Sequence, residues 1–424
     1  MNNFWYKLKV IFKDPDLRKK ILFILFILIL FRLGANIPIP GIDQIRLQQF
    51  FAGNQFFGLL NIFSGGGLSN LSILMLGVAP FITATIIMQL LTMIFPRLKE
   101  IYFEEGEAGK QRFNQYSRFL TVPLAALQGF GLLALLENQQ VLANLTFFDR
   151  ITNIIIVTAG SVLLMWLGEL VSEYGIGNGI SLLIFAGIVA SLPNTIQQVF
   201  FTFDVSQIPL YIGFLAASIM IISGVVIITE AERHIPISYA KQVRGMKMYG
   251  GFSTHLPLRV NQAGVIPIIF AISILLFPQM IVNVLAKIGG GFVKTFSEYL
   301  VGFLNNLWVY GFLYFILVFA FTYFYTAVTF DPEALSNNLQ KGGAFVPGIR
   351  PGRSTAEYIA KILYRITLVG AIFLGLIAVL PLSMQAITGM QALALGGTAL
   401  LIVVSVVLET IKQIESQIVM REYE

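Results

Sequence analysis

Cysteine is absent from this sequence, and only two histidines occur in its 424 residues. Disulfide-stabilised folds are therefore excluded, and a structural zinc site built from Cys and His ligands is not expected. Charge is also scarce, since charged residues make up 12% of the chain, whereas a soluble domain contains about 25%. Because 56% of the residues are hydrophobic and the mean hydropathy is +0.79, polar residues are too few to cover a globule. The sequence therefore predicts a protein whose surface faces lipid.

Long apolar intervals between the few charges predict membrane-spanning helices, because a span needs about 20 mostly apolar residues. The first of them is followed by Ile-Pro-Ile-Pro-Gly rather than by a small-residue cleavage site, so we expect a retained helix and not a signal peptide. Ten spans are predicted, at about 21–37, 73–95, 115–136, 151–171, 179–198, 208–229, 262–284, 307–329, 359–380 and 391–410.

Lysine and arginine are distributed unevenly between the segments that flank these spans. Of the 28 basic residues, 23 lie before the first span, around alternate loops or after the last span. Because basic loops stay in the cytoplasm, both termini are predicted to be cytoplasmic. Ten spans divide into halves of five, at 1–203 and 204–424. An odd number of spans gives the halves opposite orientations, so halves that share a fold would be inverted repeats around a central site.

An apolar segment at about 56–70 precedes the second full span and is too short to cross the membrane. Its three consecutive glycines disfavour a helix by about 1 kcal/mol each. Non-helical backbone at membrane depth is tolerated only where protein or water surrounds it. The segment is therefore either a re-entrant element in a central cavity or an amphipathic loop on the outer surface. From the residues alone, the surface loop is preferred.

The predicted spans contain no Asp, Glu, Lys or His near their centres. Intramembrane acids usually mark ion or proton pathways, so their lack argues against an ion-coupled transporter. A secondary transporter of a neutral solute, with inverted repeats, stays open as an alternative. The sequence shows no catalytic triad, carboxylate pair or metal-ligand spacing, and the glycine-rich string at 174–181 lacks the strand of a nucleotide-binding loop. We expect neither an enzyme nor a bound cofactor.

Two long segments on the predicted cytoplasmic side, at about 230–260 and 331–357, carry scattered basic residues. A chain needs only a few residues to turn round between helices. Positive charge that sets the topology explains the bases but not the length of the segments. Their length and charge favour the docking of a large, negatively charged partner, such as an RNA surface or an acidic protein.

Several strings resemble the SecY family, the channel subunits of the bacterial protein translocase, and they occur in order over essentially the whole chain. The resemblance implies ten helices in two inverted halves, hinged between helices 5 and 6 around a pore, in an all-α membrane protein. The strings are IPIPGID (37–43), NIFSGGGLS (61–69), QLLT (89–92), EGEAGKQR with QYSR (105–118), GIGNGISLLIFAGIVASLP (175–193), STHLPLRVNQAGVIPIIFA (253–271), GAFVPGIRPGRSTAEYI (343–359) and GGTALLIVV (396–404).

The resemblance implies roles for individual residues of the pore. A plug replaces the surface-loop interpretation of the short apolar segment. The plug would consist of Asn61, Ser64, Gly65, Gly66, Gly67, Leu68, Ser69 and Asn70. An aliphatic ring that blocks ions at the pore constriction would consist of Val78, Ile82, Ile86, Ile180, Ile184, Ile266, Ile269 and Ile402. Val78 departs from the commoner Ile of the family, which implies a slightly looser seal.

The resemblance also implies the partners and the outcome of transport. A lateral gate beside span 2 would include Thr83 and Gln128, and would release apolar helices into the lipid bilayer. The family assembles with two small subunits, SecE and SecG, and takes energy from the motor ATPase SecA or from the ribosome. It conducts signal peptides and nascent polypeptides across the bacterial plasma membrane. The docking residues would be Arg244, Lys247, Arg259, Lys341, Arg350 and Arg353, although Met246 stands where many relatives carry the first base of a basic pair.

Overall fold

The structure is a computed structural model. It describes residues 14–40, 64–68, 70–103, 105–138, 141–142, 146–201, 208–239, 242–244, 247–249, 253–275, 306–388 and 391–422, with isolated positions at 295, 299 and 302–303.

The described chain is largely helical, and each of the ten predicted spans overlaps a helix. Within the span at 262–284, residues 262–265 form turns, 266–275 form a helix, and 276–284 lie outside the described residues. The helices are α1 Pro15–Ala35, α2 Ala79–Ile94, α3 Pro96–Phe103, α4 Gly106–Asn138, α5 Phe147–Tyr174, α6 Gly179–Phe201, α7 Ile208–Glu230, α8 Ile266–Leu275, α9 Leu307–Thr329, α10 Pro332–Lys341, α11 Arg353–Thr388 and α12 Gln391–Glu422.

Length and composition mark several of these helices as membrane spans. In the described part of the chain, five helical stretches are by themselves long and apolar enough to cross a membrane: Gly106–Glu137, Phe147–Tyr174, Tyr211–Glu230, Leu307–Lys341 and Arg353–Met384. Taken together, α2 and α3 are long and apolar enough to form a sixth span, although the chain bends by 112° between them. The bend lies at Phe95, which is extended because the following Pro96 disfavours the helical conformation of its neighbour.

The second span starts later than the sequence predicts. Residues 71–78 form turns, and α2 begins only at Ala79 with Pro80 in its first turn. Gly77 has φ +59°, a left-handed conformation that interrupts any helix before that point. Proline is favoured at the start of a helix because its missing N–H has no partner there. The predicted start at 73 is therefore wrong by about two turns.

Among the described residues, five short strands occur in the two long segments that follow α7 and α9, so the all-α prediction holds only for the apolar segments. They are β1 Glu232–Tyr239, β2 Gln242–Arg244, β3 Lys247–Tyr249, β4 Ser253–Arg259 and β5 Ala344–Phe345. β1 pairs antiparallel with β4 on one side and with β5 on the other, so the sheet order is β4-β1-β5. β2 and β3 form a separate antiparallel hairpin.

One large apolar cluster unites helices from both halves of the chain. It contains Ile27 of α1, Ile86 of α2 and Ile184 of α6 together with Ile269 of α8 and Ile402 of α12. The pairs α2–α4, α4–α5 and α5–α6 pack within the first half, α9–α11 and α11–α12 within the second. α12 also contacts α6, which joins the halves. The core that surrounds the predicted pore is therefore shared by the two halves.

Candidate pore, plug and docking surface

All eight residues of the predicted ring belong to, or pack against, the large apolar cluster. Six of them are at most 6% exposed, while Ile180 and Ile266 are partly buried at the starts of α6 and α8. Ile82 and Ile86 lie one turn apart on α2, as the predicted spacing requires. Val78 is not on the helix, since it occupies the N-cap position immediately before α2.

The segment 64–68 is buried inside the protein, as the re-entrant interpretation requires and the surface-loop interpretation does not. Ser64 and Leu68 are 1% and 0% exposed, and Leu68 belongs to the same apolar cluster as the ring residues. The Ser64 hydroxyl accepts a hydrogen bond from the Leu68 N–H at 2.9 Å. Asn61 and Ser69, which the sequence also assigned to the plug, lie outside the described residues, and Asn70 is exposed.

Glycines give the segment 64–68 (below, the plug segment) its close fit. Gly65 has φ +65°, and a Cβ there would collide with the Phe31 ring of α1 and lie 3.2 Å from the Gly187 Cα of α6. A Cβ on Gly67 would lie 2.8 Å from the Ser72 hydroxyl oxygen and 3.0 Å from the Leu74 carbonyl oxygen. Gly65 thus allows the backbone of the plug segment to approach α1 and α6, and Gly67 allows it to pack against residues 72 and 74.

The two predicted gate residues lie on helices that pack against each other, Thr83 on α2 and Gln128 on α4. Both are buried, at 6% and 5% exposure. The Thr83 hydroxyl donates a hydrogen bond to the Ala79 carbonyl within its own helix, at 2.9 Å. That bond satisfies the hydroxyl locally, as is common for threonine in membrane helices. On other helices, Phe270 of α8 packs edge-on against Phe321 and Tyr325 of α9.

The two long segments form one unit. Strand β5 of the second segment pairs with β1 of the first, with Ser238 opposite Phe345 and Tyr239 opposite Ala344. A small apolar core under the sheet contains Ile235 and Leu258 from the first segment, Val346 from the second and Ile359 of α11. The sheet β4-β1-β5 and the apolar core beneath it consequently join the two segments into one structured surface.

Arg350 is exposed on the loop between β5 and α11. Its carbonyl oxygen accepts a hydrogen bond from the buried Thr355 hydroxyl at 2.8 Å. Two residues on, the Gly352 carbonyl accepts one from the Ser336 hydroxyl of α10 at 2.7 Å. Gly348 and Gly352 have φ +83° and +96°, conformations that favour glycine. The backbone around Arg350 is therefore held in place while its side chain faces outward.

The other predicted docking residues lie on different elements of the two segments and of the start of α11. Arg259 pairs with Glu232 across β4 and β1, with 3.5 Å between Nε and Oε1, and Arg353 pairs with Glu357 one turn along α11 at 3.2 Å. Lys341 is exposed in the last turn of α10. Arg244 and Lys247 lie opposite each other on the β2–β3 hairpin.

Sequence reasoning missed Gly187 as a contact of the plug segment and Gly160 as a contact of Ile73, which lies between that segment and α2. A Cβ on Gly160 of α5 would collide with the Ile73 carbonyl oxygen, and one on Gly187 would collide with the Gly65 Cα. A glycine inside a helix destabilises the helix by about 1 kcal/mol relative to alanine. Its presence there is therefore a signal that another part of the chain packs closely against the helix. The partner of such a glycine is not visible in the sequence. Among the described residues, no group of three or more His, Cys, Asp or Glu side chains is placed to hold a metal.

A family model described as SecY matches residues 72–411. The chain belongs to the SecY family. The protein translocase subunit SecY of Mycobacterium bovis is 44% identical, over 97% of each chain. Two solved structures share the fold at 19% identity, each covering 93% of this chain and 91% of its own. They are described as "The structure of a protein conducting channel", with a TM-score of 0.66, and "Sec61 in the Canine ribosome-channel complex from the endoplasmic reticulum", with a TM-score of 0.61.

Membership of the SecY family decides between the functions that the residues left open. A SecY family member is a protein-conducting channel in a membrane, and it is a translocase subunit rather than an enzyme by itself. The neutral-solute transporter is therefore not favoured. The prediction of a channel, which rested on the matching strings, is confirmed.

Proposed function

We propose that this chain conducts unfolded polypeptides across the bacterial plasma membrane through a pore between its two halves, 1–203 and 204–424, each contributing five spans in inverted orientation. The observation that carries the proposal is the burial of the plug segment against the same apolar cluster that contains the ring residues. Side chains of Ile and Val exclude water and ions from a narrow passage, yet tolerate many polypeptide side chains when it widens.

The ring assignment is supported by the position of its members in one uncharged cluster. Alanine at Ile82, Ile184 and Ile402 together would shorten three of its side chains, so we expect a higher resting ion conductance of the channel in planar bilayers. A matched triple variant with alanine at Ile155, Ile212 and Ile219 shortens isoleucines that are at least 57% exposed. A resting conductance equal for both triple variants would contradict the ring.

The lateral gate is proposed at the α2 side of the pore, beside Thr83 and Gln128. An apolar helix that enters the pore gains free energy on reaching lipid, so an opening beside α2 would release it sideways. Photo-crosslinking groups placed at positions 83 and 128 should react with a signal peptide during transport. Groups placed at Ile155 and Ile212 should not, because those side chains point away from the bundle.

The structured basic surface around Arg350 is proposed as the docking site for SecA and for the ribosome, and SecE and SecG as the small partner subunits. Its single sheet explains why two segments far apart in sequence would serve one partner. The test is transport of a secretory precursor into proteoliposomes that contain the chain with SecE, SecG, SecA and ATP. Arg350→Glu should abolish most of the transport.

Arg97→Glu is the matched control for that experiment, since Arg97 is exposed on α3 and outside the two docking segments. It changes the net charge equally, so it reports any general effect of lost positive charge. Equal transport by Arg350→Glu and Arg97→Glu would refute the docking role of Arg350.

A further inference from the structure

Arg32 is the only charged residue in the first predicted span, 21–37, and lies in the last turn of α1. Its side chain is partly buried and turns towards the plug segment. There Nη1 donates a hydrogen bond to the Gly65 carbonyl oxygen, at 2.9 Å. A charged group at this depth is costly unless it has a function or a partner. Here its partner is the backbone of the plug segment.

A second set of hydrogen bonds joins the end of α1 to Asn70, which follows the plug segment. The Asn70 side-chain amide donates to the Asn36 side-chain oxygen at 3.2 Å, and the Asn36 amide donates to the Arg32 carbonyl at 2.9 Å. Arg32 and Asn36 are one helical turn apart. The end of α1 therefore holds the region 65–70 at both of its ends.

The geometry at Gly65 makes the contact with Arg32 specific. Gly65 is in the left-handed region at φ +65°, and the neighbouring Phe31 ring leaves no room for a Cβ. Phe31 and Arg32 are consecutive on α1, so one residue packs against the turn while the next bonds to its carbonyl. Only glycine can present its carbonyl to Arg32 in this way.

We propose that Arg32 is a latch, a positioning residue that holds the plug segment in the closed pore, and that opening requires the bond from its guanidinium to the Gly65 carbonyl to break. This inference rests on the proposed channel function and names the residue that biases its closed state. Hydrogen bonds that involve a charged group are stronger than those between neutral groups, so breaking this bond costs more than breaking a bond between neutral groups.

The test compares Arg32→Met with the unchanged chain, because methionine keeps an unbranched apolar side chain but cannot donate a hydrogen bond. We expect the resting ion conductance in planar bilayers to rise about tenfold, the factor that corresponds to the loss of one such bond. Arg32→Lys, which keeps the charge and one donor, should give an intermediate conductance. Arg118→Met, which removes an arginine that pairs with Glu169 on the surface at 2.7 Å, should leave the conductance unchanged.

A second measurement separates a latch from a general packing defect. The chain has no cysteine, so cysteines placed at positions 36 and 70 can be joined by a short bifunctional thiol reagent without background. Crosslinking should be slower in Arg32→Met than with Arg32 present. Once formed, the crosslink should return the conductance of Arg32→Met to the resting value.

Two results would overturn the latch: an Arg32→Met conductance equal to that of the unchanged chain, or a raised conductance that the crosslink fails to lower. Neither depends on transport. If the unchanged chain fails to transport a precursor with its partners, the proposed channel function fails instead, so the two failures are distinguishable.

Discussion

Gly187 of α6 and Gly65 of the plug segment lie backbone against backbone. A Cβ built on Gly187 would overlap the Gly65 Cα and lie 3.1 Å from the Gly65 nitrogen. Both glycines are buried. Since neither partner in this contact is a flexible side chain, a larger residue at either position has to move the backbone.

Gly187→Ala should displace the plug segment, because the added methyl group occupies the space of the Gly65 backbone. We expect a resting conductance raised several-fold while the protein still assembles in the membrane, measured in planar bilayers. Gly213→Ala on α7 is the matched control, since a Cβ there meets nothing within 4 Å. Similar conductances for the two alanine variants would show that the Gly65–Gly187 contact does not seal the pore.

Thr355→Val should lower SecA-dependent transport, because valine keeps the shape of the buried side chain but loses the hydrogen bond to the Arg350 carbonyl. The loss of one such bond costs about 1 kcal/mol, enough to loosen a loop without unfolding the protein. Precursor transport into proteoliposomes measures the effect. The control is Thr152→Val, whose hydroxyl bonds only to the Phe148 carbonyl of its own helix. Undiminished transport by Thr355→Val would mean that the loop conformation is not needed for docking.

Ile176→Ala should destabilise the contact between the two halves. Ile176 lies just before α6 and is buried with Leu17 of α1 and Ile418 of α12. Removal of a buried isoleucine side chain costs about 2 kcal/mol or more, so we expect the thermal unfolding temperature in detergent to fall by several degrees. Ile212→Ala truncates a side chain that is 62% exposed and should leave it nearly unchanged. Equal unfolding temperatures would contradict a stabilising role for the cluster.

Single cysteines should report the orientation of the chain without further mutation, because no native cysteine competes. In intact cells with a permeable outer layer, a membrane-impermeant maleimide should label Phe147→Cys, at the exposed start of α5. Arg353→Cys, at the exposed start of α11, should be labelled only after the membrane is opened. The opposite pattern would invert the proposed topology and place the basic surface outside.

The apolar helices were predictable because hydropathy is a sum over about 20 neighbouring residues and needs no knowledge of partners. The predicted helix ends are wrong where single residues change the local backbone. Gly77 and Pro80 move the start of α2 to Ala79. The spacing of Ile82 and Ile86 placed them on one face of α2, but only the resemblance to the SecY family singled them out among many isoleucines.

The strands in the two long segments after α7 and α9 were not predictable from their own residues. β5 contains only Ala344 and Phe345, and it is a strand because the edge of β1 lies beside it. Backbone pairing of this kind depends on which distant segment folds against the strand, so the residue pattern within one segment cannot predict it. The basic residues indicated a docking surface, while the sheet made the two segments one surface.

The sequence by itself determined that this chain lies in a membrane and predicted how its spans alternate and which face carries the positive charge, because these properties depend on composition and on order along the chain. The tertiary structure alone decided that the plug segment is buried, that Gly65 meets Gly187, and that Arg32 bonds to the Gly65 carbonyl. Those contacts join residues far apart in sequence at distances where a single methyl group matters. Hydropathy and spacing carry no information at that scale.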